Sequence, residues 1–381
     1  MARHITEMKI KTYRGIKDLS IPDLRDVNIL VGDNNAGKTS VLEAIQILCN
    51  PCEYNIIQVA RQREKYKSVI RMGMNMNMNI LDSVLYLFNV YSSNKEYNEY
   101  EINLFGTING ESGEIRISGE VVNQLVDLKD IAMFNPIAKN KLSDEIIETQ
   151  QEIPILVGNI FSSFSESGQV KMFADGSKKF EISEYTRILR TNRQTPIIET
   201  RNIQTIDHIV ENAFSNIIKN KEMKKRAVEL LKEFDEEIVD IRYINDEQRY
   251  VPVIENKSSS EYIPLSMYGD GMKKALTMLN AIVSCENGIV LIDEFETALH
   301  ISAMKKVFQF VINIAKQLNV QLFLTTHSIE ALDKLLESSS EDLNNISVIR
   351  LKKKQGKTIS KVTNGEDAMS ERKIYNMELR I

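Results

Sequence analysis

The chain has 381 residues and a mass of 43.6 kDa, and its 43% hydrophobic and 27% charged residues are typical of a globular protein of one large or two ordinary domains. A net charge of −5 and a pI of about 5.7 exclude a strongly basic nucleic-acid-binding protein, although not a local basic patch. With no apolar run near the ~18 residues that cross a bilayer, no apolar signal core and few cysteines, we expect a cytoplasmic protein without membrane contact.

The first predicted elements in chain order are two strands and a helix. Met8 to Tyr13 predicts one strand, and the almost wholly apolar run from Val27 to Val31 predicts a strand covered on both faces. A glycine-rich turn follows. The apolar residues between Thr39 and Leu48 then recur at helical spacing, which indicates an amphipathic helix.

The next stretch, from Leu81 to Gly119, is predicted to be rich in β-structure. Within it, Val84 to Phe88 is expected to be a strand, and Asn109-Gly110 is typical of a hairpin turn. Before it lies a low-complexity segment, Met72 to Asn79, in which methionine and asparagine alternate. We expect this segment to form a loop or an edge element.

The rest of the chain changes from a mixed pattern to alternating strands and helices. The predicted elements are a mixed region over 120–204, helices over 205–234, strands around 238–244 and 249–254, alternating helices and strands from 266 with buried strands at 289–292 and 321–325, strands at 346–351 and 358–362, and a terminal helix.

The strongest local motif is Gly32-Asp33-Asn34-Asn35-Ala36-Gly37-Lys38-Thr39, which matches the phosphate-binding loop GxxxxGK[ST] between a strand and a helix. Its glycines let backbone N–H groups turn toward phosphate oxygens, and the helix N-terminus favours an anion. Lys38 supplies positive charge at the β- and γ-phosphates, and Thr39 offers a hydroxyl to Mg²⁺. The predicted nucleotide-binding residues are Gly32, Asn34, Asn35, Ala36, Gly37, Lys38, Thr39 and Ser40.

Two carboxylates follow a second buried strand and complement this loop. After the apolar run from Ile289 to Ile292 come Asp293 and Glu294. A loop that binds nucleotide phosphates needs an acidic partner for its metal ion, and Asp293 is predicted to hold Mg²⁺ together with Thr39. Glu294 is predicted to orient and deprotonate the attacking water.

A third strand ends in a histidine. Leu322 to Thr325 is an apolar run that leads into Thr326-His327-Ser328, 33 positions after Glu294. A lone histidine is more often structural or surface-exposed. Its place at the end of a neighbouring strand nevertheless predicts that His327 contacts the γ-phosphate, in a protonation state that the sequence leaves open.

The segment Ser266-Met267-Tyr268-Gly269-Asp270-Gly271 precedes another predicted helix, 22 residues before Asp293. Ser266, Gly269 and Asp270 at a helix N-terminus are expected to form a second anion-binding surface, although an ordinary helix cap is the alternative. One nucleotide rarely needs two such surfaces from one chain. We therefore expect this surface to cover the γ-phosphate bound by a second copy.

The order of these motifs resembles that of ABC-type ATPases of the SMC, RecF and OLD group, and most of all OLD-like ATPases. The resemblance rests on four segments: Ile10 to Ile16, Gly269-Asp270-Gly271, Leu291-Ile292-Asp293-Glu294-Phe295-Glu296-Thr297-Ala298-Leu299-His300, and Thr325 to Ser328. It implies an α/β fold of the ABC-type P-loop ATPase class, with a mixed central sheet, an antiparallel β subdomain and an inserted, mainly helical region.

The resemblance also implies a division of the chain and several residue roles. The first ATPase lobe would span 1–119, the inserted region 120–255 and the second lobe 256–381. ATP and Mg²⁺ would be the ligands, with Lys38, Glu294 and His327 as catalytic residues. Ser266 and Gly269 would act on the partner's nucleotide, Arg14 would lie near the nucleotide, Gln58 is the candidate Mg²⁺-sensing glutamine, and His300 replaces an aspartate of transporter-like relatives.

The resemblance further suggests an ATP-hydrolysing homodimer that serves as a sensor or motor in bacterial anti-phage defence. Full OLD nucleases carry an added Toprim domain, for which the 54 residues after His327 are too few. We therefore expect a nuclease effector of Toprim or HNH type in another polypeptide.

Two alternatives remain open. One is a RecF-like, DNA-binding ATPase of DNA repair, which would need a basic groove. The basic segments are Arg61 to Lys67, Lys219 to Arg226 and Lys352-Lys353-Lys354; each is short, and a solvated face is the simpler interpretation. The other is a slowly hydrolysing scaffold that ATP holds together.

Overall fold

The structure is a computed structural model and describes residues 3–63, 80–88, 99–127, 150–164, 168–173, 196–203, 214–246 and 249–375. Its strands are β1 (Ile5–Tyr13), β2 (Ile16–Ile21), β3 (Val27–Gly32), β4 (Glu99–Ile108), β5 (Glu111–Asp127), β6 (Gln150–Ser162), β7 (Gly168–Phe173), β8 (Thr200–Ile203), β9 (Ile238–Asp246), β10 (Arg249–Asn256), β11 (Ile263–Pro264), β12 (Ile289–Ile292), β13 (Gln321–Thr325), β14 (Ile346–Lys354) and β15 (Lys357–Asn364). Its helices are α1 (Lys38–Cys49), α2 (Glu53–Gln62), α3 (Ile80–Leu85), α4 (Ser215–Lys219), α5 (Lys221–Leu231), α6 (Asp270–Val283), α7 (Ile301–Gln317), α8 (Ile329–Ser338) and α9 (Gly365–Tyr375).

A six-stranded sheet in the order β15-β14-β3-β13-β12-β8 forms the centre of the fold. Five of its strands run parallel, and β15 pairs antiparallel with β14 at one edge. Every residue of β3, β12 and β13 is buried, as expected for parallel strands covered on both faces. Because these three strands are neighbours, the segments that follow Gly32, Ile292 and Thr325 leave the sheet at the same edge.

The alternation of side chains along the central strands separates two hydrophobic cores. On one face, Leu30, Leu291 and Phe323 pack in the core that includes α1 and β1. On the other face, Val290 and Leu322 pack in the core formed with α6, α7 and α8. The sheet is therefore the middle layer between a β-rich layer and a helical layer.

The β-rich layer is an antiparallel sheet in the order β2-β1-β4-β5-β6-β7. The hairpin between β4 and β5 turns at Asn109 and Gly110, whose φ angles of 50° and 88° are those of a two-residue hairpin turn. A smaller sheet, β11-β10-β9, follows α5. These features confirm the predicted α/β fold with a mixed central sheet and an antiparallel β subdomain.

Two regions differ from the sequence-based prediction. The segment from Val84 to Phe88 is not a strand, because α3 ends within it and a turn follows. Val84, Leu87 and Phe88 are buried whereas Tyr86 is 59% exposed, a spacing of three and four residues that suits a helical turn. The described part of 120–255 is largely strand rather than helix, because β5, β6 and β7 extend the antiparallel sheet and β8 joins the central sheet.

The methionine- and asparagine-rich segment lies outside the described residues. In the part of the chain that the structure describes, no helix is both long and apolar enough to cross a membrane.

Candidate functional site

The phosphate loop adopts its turn because glycine occupies two positions that side chains would obstruct. Gly32 ends β3 at φ 145°, and a Cβ atom there would lie 2.2 Å from the carbonyl oxygen of Leu351. Gly37, at φ 101°, caps the N-terminus of α1 and packs against Ile16 of the β1–β2 hairpin. The loop between them, from Asp33 to Asn35, is exposed at the carboxyl edge of the sheet. A phosphate group approaching this edge meets backbone N–H groups at a helix N-terminus.

Lys38 is 95% buried, although its ammonium group is a charge. Its Nζ donates to the carbonyl oxygens of Gly32 (2.6 Å) and Asp33 (3.0 Å) and lies 3.3 Å from Nδ1 of His327. Burial lowers the pKa of Lys38, while the carboxylates of Asp293 and neighbouring acids oppose that shift. The side chain is thus held within the loop in a position from which its charge faces the anion-binding edge.

Thr39 and Asp293 come together from segments 254 positions apart. Thr39 Oγ1 donates to Asp293 Oδ2 (2.9 Å), and Thr325 Oγ1 donates to the other carboxylate oxygen (2.5 Å). This convergence follows from the parallel pairing of β13 with both β3 and β12. One hydroxyl and one carboxylate therefore present oxygen atoms next to the phosphate loop, which is the ligand type that Mg²⁺ prefers.

Glu294 has a backbone in the left-handed region, at φ 48°. Its N–H donates to Thr325 Oγ1 (2.9 Å), and the Thr297 hydroxyl donates to its Oε2 (3.4 Å). A non-glycine residue in this conformation persists only where its surroundings hold it. Here the result is an exposed carboxylate directed away from the buried strand that precedes it.

His327 follows β13 and sits between Lys38 and Glu296. Since an ammonium group can only donate, Nδ1 of His327 is the acceptor of the Lys38 contact, and the neutral ring then carries its proton on Nε2. The backbone N–H of His327 donates to Glu296 Oε1 (3.0 Å). The other Glu296 oxygen is buried and has no hydrogen-bond partner among the described residues.

Arg14 is bound to α1 rather than free. Its Nε donates to Glu43 Oε2 (2.7 Å), and its Nη1 donates to the carbonyl oxygen of Tyr86. Arg63 binds the same fully buried carboxylate (2.8 Å) and also donates to Ser40 Oγ (3.0 Å). The two guanidinium groups compensate one buried carboxylate directly behind the phosphate loop.

The segment Ser266 to Asp270 forms an exposed surface. A short 3-10 turn carries Ser266, and Gly269 caps α6 with open space where a Cβ atom would lie. The carboxylate of Asp270 is paired with Lys273 (2.6 Å). Met267 is 78% exposed, so the surface presents polar backbone and one large apolar side chain to solvent.

Lys274 lies near the site, and sequence reasoning gave it no role, as it gave none to Thr325 and Glu296. Lys274 is 1% exposed, and its Nζ donates to the carbonyl oxygen of Glu294 at 3.4 Å. Burial lowers its pKa, opposed by the negative charges of Glu296, Asp293 and Glu294. A signal was present in the sequence, because Lys274 stands four residues before the buried Met278, on the apolar side of α6.

Two further predicted residues have local partners. Gln58 is exposed on α2, where its amide donates to the Tyr54 hydroxyl (2.8 Å). His300 caps α7, and its Nδ1 lies 2.8 Å from Ser302 Oγ and accepts from the Ser302 N–H. A capping role accounts for His300, and the position of Gln58 gives no support to its proposed role in sensing Mg²⁺.

Two families match the two ends of the chain. The family described as "AAA ATPase domain" matches residues 4–153, and the family described as "AAA domain, putative AbiEii toxin, Type IV TA system" matches residues 174–333. Among solved structures, the Smc head domain with an extended coiled coil derived from Pyrococcus furiosus is similar, with a TM-score of 0.47 and 11% identity over 98% of this chain and 100% of that chain.

Three relatives share sequence with the chain. An "ATP/GTP phosphatase" of Helicobacter pylori is 26% identical over 344 residues, which are 87% of this chain and 88% of that protein. Uncharacterized protein MJECL11 of Methanocaldococcus jannaschii is 33% identical over 112 residues, or 29% of this chain and 98% of that protein. The DNA replication and repair protein RecF of Nitrosococcus oceani is 47% identical over 71 residues, or 19% of this chain and 18% of that protein.

The archaeal relative is aligned over nearly its whole length, so this chain belongs to the same family as that protein. ATPase-domain matches at both ends, together with the phosphatase relative, make the chain an AAA-type ATPase that hydrolyses ATP.

Proposed function

We propose that ATP is bound and hydrolysed where the carboxyl ends of β3, β12 and β13 meet. The main support for this proposal is the hydrogen bond from Thr39 Oγ1 to Asp293 Oδ2, because this bond joins the phosphate loop to the end of β12. The amides of the loop and the Lys38 ammonium would bind the β- and γ-phosphates. The loop residues concerned are Gly32, Asn34, Asn35, Ala36, Gly37, Lys38, Thr39 and Ser40.

The residues present suit Mg²⁺, since Thr39 and Asp293 already converge through oxygen atoms. These two residues would hold the ion, which would neutralise charge on the phosphates when bound. The short hydrogen bond from Thr325 fixes the second Asp293 oxygen and so orients the carboxylate.

Glu294 is proposed to take a proton from the attacking water. Its exposed carboxylate follows Asp293 directly, and its backbone is fixed by Thr325. The water oxygen then forms a bond to the γ-phosphorus while the bond to the β-phosphate oxygen breaks, and ADP leaves. His327, whose Nδ1 lies 3.3 Å from the Lys38 ammonium, is proposed to contact a γ-phosphate oxygen.

The complete site is proposed to form between two copies of the chain. Ser266, Gly269 and Asp270 are exposed rather than folded onto their own chain's core, which leaves them open to a partner. In a head-to-tail dimer each copy would place this surface over the γ-phosphate held by the other. Arg14 would act indirectly, by fixing α1 through Glu43.

Within the cell, we propose that the dimer serves as a sensor, motor or scaffold of a bacterial anti-phage defence complex, with a nuclease or other toxic effector in another polypeptide. The support is the resemblance of the motifs to OLD-like ATPases and the match to a family whose description names a toxin system. The alternative is a RecF-like DNA-binding ATPase, which the short stretch shared with RecF supports.

The proposed water-activating role is tested with Glu294→Gln in the full-length chain. Because an amide cannot accept the proton, we expect ATP binding to persist while phosphate release falls at least about 100-fold. Binding is measured with a fluorescent ATP analogue and turnover by phosphate release. Glu286→Gln, an exposed substitution of the same type, should match the parental enzyme. Parental turnover in Glu294→Gln would refute the assignment.

A further inference from the structure

The hairpin of β14 and β15 is strongly basic in a chain that is acidic overall. Between Leu343 and Gly365 the sequence contains no aspartate or glutamate, whereas the chain as a whole has a net charge of −5. The basic residues of this stretch are Arg350, Lys352, Lys353, Lys354, Lys357 and Lys361. The local charge is therefore opposite in sign to that of the molecule.

The register of the hairpin gathers part of this charge on one face. Lys352 lies opposite Ile359, and Lys354 lies opposite Lys357. Since opposed residues share a face and alternate residues return to it, Lys352, Lys354, Lys357 and Ile359 form one surface, which we call the lysine face. All four are exposed, and Ile359 is 46% exposed although it is apolar.

The lysine face does not serve the stability of the hairpin. Like charges directly opposite each other destabilise a strand pair, so the Lys354–Lys357 pair opposes folding of the hairpin tip. Within the part of the chain that the structure describes, the three lysines of this face make no ion pair. By contrast, the basic cluster on α5 is neutralised locally, by the Lys224–Asp240 and Arg226–Glu222 pairs.

The hairpin tip projects from the edge of the sheet that holds the phosphate loop. β14 pairs with β3 as far as Leu351 opposite Gly32 and then continues to Lys354, about 10 Å at the usual rise of a strand. Thr358, on the returning strand, lies 4.0 Å from the position of a Gly37 Cβ atom. Because Thr358 alternates with Lys357 and Ile359, the lysine face lies on the side of the hairpin that is turned away from Gly37.

We propose that the lysine face binds the phosphate backbone of a nucleic acid. A two-stranded ribbon fits the major groove of a duplex, and lysine side chains projecting from it pair with phosphates as point charges. Ile359 offers an apolar contact to sugar or base. A membrane surface is the poorer partner, because the turn at the tip consists of Gln355 and Gly356 and carries no apolar side chain to insert.

The test compares two triple variants of the full-length chain with equal change in charge. The first is Lys352→Gln/Lys354→Gln/Lys357→Gln. The control replaces three exposed lysines of the other basic cluster, Lys219, Lys221 and Lys225, with glutamine. Binding of fluorescein-labelled duplex DNA, single-stranded DNA and RNA is measured by anisotropy over a series of salt concentrations.

We expect the parental chain and the control to bind at least one of these nucleic acids equally. The lysine-face variant should bind at least about tenfold more weakly, and the slope of log K against log salt should fall by about 2 to 3, as three phosphate contacts predict. Its melting temperature should be unchanged or higher, because a repulsive pair has been removed.

Several results would overturn the proposal. They are no nucleic-acid binding by the parental chain, equal loss in the two variants, or an unchanged salt slope in the lysine-face variant. Binding to vesicles of phosphatidylserine and phosphatidylcholine in the absence of nucleic-acid binding would assign the face to a lipid surface instead.

Discussion

The Lys38 ammonium is held in the loop by carbonyl oxygens and an imidazole nitrogen, none of which carries a negative charge. The desolvation of a buried charge is costly, and neutral acceptors compensate it only in part. Nearby carboxylates act on Lys38 without a hydrogen bond to it. A phosphate oxygen would add a negative charge in direct contact, through a short charge-assisted hydrogen bond.

Replacement of this ammonium group is expected to weaken ATP binding strongly. Loss of hydrogen bonds to a charged partner costs about 1.5–3 kcal/mol each, so Lys38→Ala should bind ATP at least about tenfold to 100-fold more weakly. Isothermal titration with ATP and Mg²⁺ measures the effect. The matched control is Lys305→Ala, at an exposed position of α7. Undiminished affinity in Lys38→Ala would contradict the role of Lys38.

Lys274 is a second buried ammonium group that donates to a neutral acceptor, but it lies outside the nucleotide-binding motif. Among the described residues, its one side-chain hydrogen bond goes to the carbonyl oxygen of Glu294 and is long (3.4 Å), yet the side chain is 99% buried. The same backbone segment is in the left-handed region. We infer that Lys274 is a positioning residue, which holds the peptide of Glu294, the carboxylate proposed to activate water.

For Lys274→Met we expect slower turnover without loss of stability or of ATP affinity. Methionine fills a similar volume without a charge, and replacing buried charges with apolar groups is often neutral or stabilising. A small displacement of Glu294 should nevertheless lower kcat about tenfold or more. The measurements are kcat, ATP affinity and melting temperature. Lys305→Met, at an exposed position of α7, is the control.

A double variant separates positioning from other roles of Lys274. If Lys274 acts through Glu294, adding Lys274→Met to Glu294→Gln should slow turnover little further. Additive effects, or a reduced melting temperature in Lys274→Met alone, would show that the lysine has a different or merely structural role.

The start of α6 lies between the loop that follows Glu294 and the exposed surface proposed to act on the partner's nucleotide. A Cβ atom on Gly271 would lie 2.9 Å from the carbonyl oxygen of Ala298, so α6 packs directly on the loop that follows Glu294. Two residues earlier, Gly269 faces open space. The helix therefore touches the loop that follows Glu294 on one side and presents the proposed trans-acting surface on the other.

Because Gly269 has room for a side chain and an ordinary φ of −63°, Gly269→Arg should fold and bind ATP as a single chain. It should block hydrolysis, since a bulky side chain would obstruct closure over the partner's γ-phosphate. Mixing it with Lys38→Ala yields dimers in which one composite site carries both changes and the other carries neither. Partial recovery of phosphate release is the expected result; no recovery in mixed dimers shown to form would argue against action in trans.

Elements with a local signal could be predicted from the sequence, whereas elements defined by distant pairing could not. The strand, turn and helix around Lys38 follow from a contiguous motif, and the approach of Asp293 to Thr39 follows from the geometry of neighbouring parallel strands. β8 has only four residues, which is too short for a hydrophobic pattern that would predict its pairing with β12. Lys274 was overlooked because lysine is seldom fully buried.

The proposed function assigns ATP hydrolysis to this chain and any nuclease activity to another polypeptide. Among the described residues, no group of three or more histidine, cysteine, aspartate or glutamate side chains could hold a metal ion. The acidic pairs near the end have local partners: Asp342 binds Lys316, and Glu366 accepts from Asn344. Two-metal or histidine-based cleavage needs a dedicated cluster of such ligands.

The purified chain, incubated with ATP and Mg²⁺ or Mn²⁺, should release phosphate and leave labelled DNA and RNA intact on a gel. Addition of the product of the adjacent gene should produce cleavage or another toxic output. The opposite result is cleavage of nucleic acid by the chain alone, with Lys38→Ala leaving cleavage intact and a substitution elsewhere abolishing it. That result would contradict the proposal that the nuclease is another polypeptide.

The position of β3 within the central sheet has a consequence for biosynthesis. β3 is formed by residues 27–32, yet its two neighbours are β13 and β14, whose residues paired with Val27 come 295 and 319 positions later. During synthesis this largely apolar strand leaves the ribosome long before either neighbour exists. The ATP site is therefore completed only when almost the entire chain has been made, and until then β3 is an unpaired, aggregation-prone segment that a chaperone would have to shield.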